Sequence, residues 1–286
     1  PAGQPLDFEY YEGADECASG VYDCAGVCDG TAVEDCAGEC GGNAEVDECD
    51  VCGGDGPAAG FDCAGNQVTY IPDDNFEQAL INLGYDDVLD NYVITDNIND
   101  ITNLQLPGEN ISKFSDVTGI NNFVSLGYLN FNSHLLTSID VSGLPDLYKI
   151  QIAYQGGDGI TELDLSNNTG LVHLEAAGNT LTSIDLSNNT LLYRVDLRSS
   201  PLTTIDLSNS PNLNYLGVGY SHLTHLDFSN NTGFKSLSAE NSQLTSLNLI
   251  NVYSMTGLNI KNNSLTCVEV SNPEYYIEMT DSLNND

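Results

Sequence analysis

Apolar residues recur with a fixed period of 21 along the C-terminal two thirds of the chain. Leu181, Leu202, Leu223, Leu244 and Leu265 form one series, and Leu171, Leu192, Leu213, Phe234 and Met255 form a second. Three residues after each stands another apolar side chain: Ile184, Ile205, Leu226, Leu247 and Val268 in the first series, Leu174, Val195, Leu216, Leu237 and Leu258 in the second. A unit of this length buries its apolar face only against its neighbours, so the pattern predicts a solenoid. Within each unit, apolar and polar residues alternate over two short runs. The alternation predicts two extended segments per coil, with Leu174/Ala176, Val195/Leu197 and Leu216/Val218 inward in the first, and Ile184/Leu186, Ile205/Leu207 and Leu226/Phe228 inward in the second. The fold class is therefore mainly β.

The period slips once. The step from Leu147 to Leu171 is 24 residues, and the extra ones lie in YQGGDGI (154–160). Ahead of the coils, IPDDNFEQALINLG (71–84) carries helix signals. Asp73 or Asp74 can cap it, Phe76, Leu80 and Leu83 share a face, and Gly84 marks the stop. Such a helix reads as a cap over the first open coil. The expected organisation is a cysteine-rich module (1–66), a solenoid cap (67–100), repeats (101–270) and a tail (271–286).

Charge narrows the partners. The formal net charge is −36, and 25 of the 42 acids precede Lys113, the first basic residue. Nucleic acid is an unsuitable partner because phosphate binding needs a positive footprint, and a bare anionic membrane is unsuitable for the same reason. No run of roughly 18 apolar residues is present to span a membrane.

Residues 1–66 hold eight of the nine cysteines: Cys17, Cys24, Cys28, Cys36, Cys40, Cys49, Cys52 and Cys63. The Cys49/Cys52 spacing suits zinc, but the other close pairs are spaced by four and no histidine lies nearby. Disulfides in an oxidising compartment are the preferred reading, which places the protein outside the cell. Connectivity is not deducible from spacing. The expected ladder is Cys17–Cys24, Cys28–Cys36, Cys40–Cys49 and Cys52–Cys63, closing loops of similar size. Asp23, Asp35, Asp47, Asp50 and Asp62 neighbour these cysteines, and Asp29 and Asp55 sit in glycine turns. Turns of this kind offer oxygen ligands, so calcium is the expected cofactor; an acidic, stapled stalk without metal is the alternative. The segment, with units such as DCAGVCDG and DCAGECGG, resembles the acidic D-C-x-G-x-C-x-G repeats of secreted bacterial proteins. More loosely it resembles thrombospondin type 3 repeats, which implies calcium, although their D-x-D-x-D-G register is missing.

The coil unit, shown most fully by LVHLEAAGNTLTSIDLSNNTL (171–191), resembles the leucine-rich repeat. It is similar to the short type of secreted and surface proteins of Bacteroidetes, and the cap and the ISKFSDVTGI linker also resemble internalins. The resemblance spans about residues 68–270. It implies a ligand face on the outward positions of the first segment. Five of the six basic residues map there or one coil beyond: Lys149, Arg194, Arg198, Lys235 and Lys261. Tyr148, Tyr154, Tyr193, Tyr215, Tyr220 and His173 join them. The composition suits a protein interface, and tyrosines beside Asn and Arg also suit a sugar. The alternative is that these cations only offset acids such as Glu175 and Asp196. Ala153 and Ala177 are assigned to the same outward columns.

The second segment stacks a Thr column (Thr161, Thr182, Thr203, Thr224, Thr245, Thr266) and an acid column (Asp164, Asp185, Asp206, Asp227). Asn167, Asn188, Asn209, Asn230 and Asn251 are expected to form an internal ladder. Catalytic signals are absent: His134, His173, His222 and His225 fit no zinc spacing, and Cys267 has no His partner. Cys267 implies a continuation beyond Asp286, such as a type IX secretion signal. The expected function is non-enzymatic recognition or adhesion at the cell surface. The alternatives are a structural or accessory subunit of an outer-membrane assembly, and glycan capture.

Overall fold

The computed structural model describes residues 19–271. They fall into two compact units divided between Asn66 and Gln67.

The first unit is an array of short turns. Antiparallel bridges pair Tyr22 with Cys28, Glu34 with Cys40 and Val46 with Cys52. Disulfides join Cys24 to Cys40, Cys36 to Cys52 and Cys49 to Cys63. Cys28 is disulfide-bonded as well. The expected ladder is thus corrected at every described cysteine, Cys24 included; Cys17 itself lies outside the described residues. Cys24–Cys40 and Cys36–Cys52 each run from the first cysteine of one repeat to the second of the next, and Cys49–Cys63 runs to the single cysteine of the last repeat, so successive bridges interleave. The reason is local. Each turn folds back on its own aspartate, which sends the two cysteines of a repeat apart toward different neighbours.

Asp35 shows the turn's construction. Its Oδ1 accepts the N–H groups of Ala37 (3.0 Å) and Glu39 (2.9 Å), and its Oδ2 accepts that of Ala44 (3.1 Å). Asp23 does the same with Ala25, Val27 and Ala32, and Asp47 with Cys49, Val51 and Gly56. The carboxylate leaves no room for a side chain on the repeat's last glycine: a Cβ on Gly42 would stand 2.0 Å from Asp35 Oδ2. Asp and the last Gly of D-C-x-G-x-C-x-G are coupled sterically, the carboxylate occupying the space a side chain would need.

In the second unit, β1 (Val68–Tyr70) pairs antiparallel with β2 (Tyr92–Ile94), and α1 (Asp74–Leu83) lies between them. Asp73 caps the helix, accepting from Asn75 and Phe76, while Gly84 ends it at φ 81°. Asp73 also accepts from the N–H of Ser115 (2.8 Å), tying the helix to the linker. Phe76 is fully buried against Phe114 and Phe131, with ring centroids 5.2 and 5.6 Å away. Leu83, expected on the buried face, is 48% exposed; Glu77 is buried instead, accepting the Asp90 N–H at 2.9 Å.

The coils then stack as parallel strands. The chain forms β3 (Asn103–Gln105), β4 (Tyr128–Asn130), β5 (Lys149–Gln151), β6 (His173–Glu175), β7 (Arg194–Asp196) and β8 (Tyr215–Gly217). It continues as β9 (His225–Asp227), β10 (Ser236–Ser238), β11 (Ser246–Leu249), β12 (Gly257–Asn259) and β13 (Cys267–Val270). Among the described residues, β3–β8, β10 and β12 make one eight-stranded sheet from the first segments. The second segments pair only in the last coils, as β9, β11 and β13. Earlier second segments lie outside any sheet, and Ile184 and Ile205, expected inward, are only partly buried there. The two period-21 series are buried throughout, except Leu265 in the last coil.

Two internal ladders satisfy the turns. One runs through His134, Gln155, Asn179, Ser242 and Asn263. The Asn179 amide donates to Ile152 and Ala176 carbonyls at 2.9 Å, and its oxygen accepts the Ile160 N–H at 2.9 Å. The other runs through Asn168, Asn189 and Asn231, each donating to two carbonyls of the preceding coil. This corrects the sequence reading by one residue. The first Asn of S-N-N-T (Asn167, Asn188) is exposed, and the second is buried, where its amide donates to carbonyls of the preceding coil.

Candidate ligand face

The eight-stranded sheet sets two outward columns around each buried central residue. One reads Tyr128, Lys149, His173, Arg194, Tyr215, in register on β4 to β8. The Lys149 ammonium lies over the Tyr128 ring at 4.1 Å, and the Arg194 guanidinium over the Tyr215 ring at 3.8 Å. Such contacts are worth about 0.5–1 kcal/mol at exposed sites. His173 stands between the two cations and meets the edge of Tyr193 at 6.2 Å. Burial first, then Lys149 and Arg194, hold its imidazole below the usual range.

The next column reads Gln151, Glu175, Asp196, Gly217. Gln151 donates to Glu175 at 2.5 Å. Asp196 is 3% exposed although it faces outward, because Arg198 covers it with a two-pronged contact, Nε at 2.9 Å and Nη2 at 2.7 Å. That contact raises the Arg198 pKa further. Gly217 is required here: a Cβ would stand 2.8 Å from Asp196 Oδ1 and 2.9 Å from the Tyr215 hydroxyl. Burial, then Asp196, pushes the Tyr215 phenol up.

Of the expected contact residues, Lys149, His173, Tyr193, Arg194 and Tyr215 are brought together, and Arg198 joins them through Asp196. Arg198 is a positioning group whose charge is already compensated. Tyr148 is half exposed, its ring over Gly127. Tyr154 and Tyr220 occupy the left-handed region at φ 56° and 61°, and more than half of each is exposed. Lys235 is exposed just before β10 and forms no ion pair among the described residues. Ala153 and Ala177 are buried at 0% and 1%, correcting their assignment to the surface: the chain turns there into its left-handed residue. Tyr128 was missing from the expected set, although stepping back 21 residues from Lys149 finds it.

The opposite columns are structural. Thr203, Thr245 and Thr266 hydroxyls donate to the Thr carbonyl one coil earlier, at 3.1–3.3 Å. Asp164, Asp185, Asp206 and Asp227 accept the serine N–H two residues on at 2.8–2.9 Å. The seven aspartates assigned to calcium are not gathered. Asp23, Asp35, Asp47 and Asp62 spend both oxygens on loop donors, which lowers their pKa values. Asp29 accepts from Ser19, Asp50 is a left-handed turn residue and Asp55 is exposed. Among the described residues no group of three or more Asp, Glu, His or Cys side chains is placed to hold a metal ion.

No family model matches the chain, and no curated protein matches it. Its structure is similar to the functional domain of InlJ from Listeria monocytogenes, which includes a cysteine ladder: 26% identity, TM-score 0.55, over 70% of this chain. The chain spans about half of that domain, 49%. It is similar in fold to internalin C2 from Listeria monocytogenes, at 15% identity and TM-score 0.58 over 71% of this chain and 95% of that one. With the parallel 21-residue coils, these likenesses establish the fold as a leucine-rich repeat solenoid preceded by a disulfide-rich segment.

Proposed function

We propose that this protein is an extracellular recognition or adhesion protein that binds a protein partner through the outward face of β4–β8. The carrying observation is the registered column of Tyr128, Lys149, His173, Arg194 and Tyr215 in a chain with only six Lys and Arg. Solenoids of this kind offer extended binding faces, and Tyr and Arg are the residues enriched at interface hot spots. Tyr154 and Tyr220 support the reading. A bulky residue in the left-handed region costs roughly 1 kcal/mol, and the equivalent position in the other coils holds a small or polar residue: Ser133, Gly178, Ser199, Asn241 or Asn262. Three disulfides and the likeness to internalins support an oxidising, extracellular setting. Catalysis has no support: His134 is in the core and His225 bonds Ser246.

A photo-crosslinking residue at Tyr193, with a control at Ser183 on the second segment, tests the proposal against the extracellular fraction of the source. A partner crosslinked from position 193, lost on Arg194→Glu and absent from position 183, is the expected result. Equal crosslinking from both positions, or indifference to Arg194→Glu, defeats it.

A further inference from the structure

We infer that Lys149, His173 and Arg194 form a notch that receives one carboxylate of the protein partner, with His173 taking up a proton as the carboxylate arrives. The inference rests on the ligand-face reading and adds the chemistry recognised there.

Three neighbouring basic groups repel one another, yet this chain places them on adjacent strands, with backbones about 4.8 Å apart. Neither flanking cation is well matched to a carboxylate. Lys149 forms no ion pair among the described residues and rests on Tyr128. Arg194 reaches Asp196 only at 3.9 Å, while Arg198 occupies that carboxylate at 2.7 Å. Lys149, Gln151, His173, Glu175 and Arg194 line a depression of about 230 Å³ over the backbone of Ile150 and Leu174.

The charged and titratable groups facing His173 are Lys149 on β5, Glu175 on its own strand, Arg194 on β7 and Tyr193 beside it; beneath the strand the core is apolar. Glu175 is held by Gln151 and offsets part of the positive field. This sets the choice of occupant. A single carboxylate meets two cations and a proton-ready imidazole. A polyanion such as a sulfated glycan meets Glu175 at once and the chain's overall negative charge around it. An incoming carboxylate favours the imidazolium, lifting the histidine from its depressed state, so binding strengthens as pH falls through the bound-state pKa.

The test uses the full chain with ¹⁵N-labelled histidines, the His173 ring signals being assigned with His173→Gln. The probes are acetyl-Gly-Glu-Gly-amide, its Gln isostere and sodium sulfate at constant ionic strength. The Glu peptide should move the His173 signals saturably and raise their titration midpoint by about one unit, equal to about tenfold tighter binding at low than at high pH. The Gln peptide should not. Lys149→Gln and Arg194→Gln should each abolish the response, and Lys235→Gln should leave it intact. Equal responses to both peptides, or an unmoved midpoint, overturn the inference; tighter binding of sulfate than of the Glu peptide overturns the choice of carboxylate. If the notch is silent while position 193 still crosslinks a partner, the notch falls and the face stands.

Discussion

Both units of this protein are periodic, but their periods do different work. In the solenoid, residue i meets residue i+21, so like stacks on like and buries a continuous core. Among the described residues of the module no such core exists: Val21, Val27, Val33, Val46 and Val51 are all more than half exposed. Two of its three described bonds join unlike positions, the first cysteine of one repeat to the second of the next, and each turn is closed by an aspartate. A repeat that stacks can be read column by column. A repeat that crosslinks cannot, since its period leaves the partner undefined.

The difference breaks most visibly under reductant. Each disulfide closes a loop of about 15–17 residues, worth about 3 kcal/mol in the chain-entropy account. Reduction should abolish amide protection across residues 19–66 while the repeat domain's hydrogen exchange stays unchanged. Protection that survives in the module would mean that its aspartate turns suffice alone.

The next largest effect is on the core. Phe76→Ala removes the cap's contact with Phe114 and Phe131, and should cost about 3–5 kcal/mol, loosening the first coils in exchange experiments but not the module. His134 gives a smaller, pH-dependent effect. Its ring stacks on Phe114 at 3.5 Å, accepts the Phe114 N–H at Nδ1 and donates from Nε2 to Leu106. Burial depresses its pKa, so the folded state keeps it neutral while the unfolded state protonates. Stability is therefore full above about 6.5 and falls as pH drops below it, by up to about 1.4 kcal/mol per unit until the folded pKa is reached. Denaturant titrations of wild type and His134→Gln at pH 7.5 and 5.5 should differ in this slope.

Tyr220→Asn should stabilise the fold by up to about 1 kcal/mol, by relieving the left-handed tyrosine, while weakening partner capture. Opposite signs in the two assays mark a residue kept for binding; a loss in both would make it structural. The smallest expected effect is none. Chelator or added calcium should leave the module's exchange unchanged, whereas Asp35→Ala should loosen it, because the carboxylate serves backbone N–H groups directly. A calcium-dependent shift would return the aspartates to metal binding.

The sequence by itself determined the solenoid, the capping helix with its Asp73 and Gly84 signals, and the two period-21 apolar series that fill most of the core, because those follow from periodicity and local hydrogen bonding. It also placed the cations and tyrosines on one face, since registered columns follow from a fixed period. Only the tertiary structure decided the disulfide partners, which depend on where each turn aims its cysteines. It alone decided which Asn of S-N-N-T is buried, where its amide donates to carbonyls of the preceding coil. And it alone separated Arg198, spent on Asp196, from Lys149 and Arg194, because the sequence counts charges while the fold decides which are already paired.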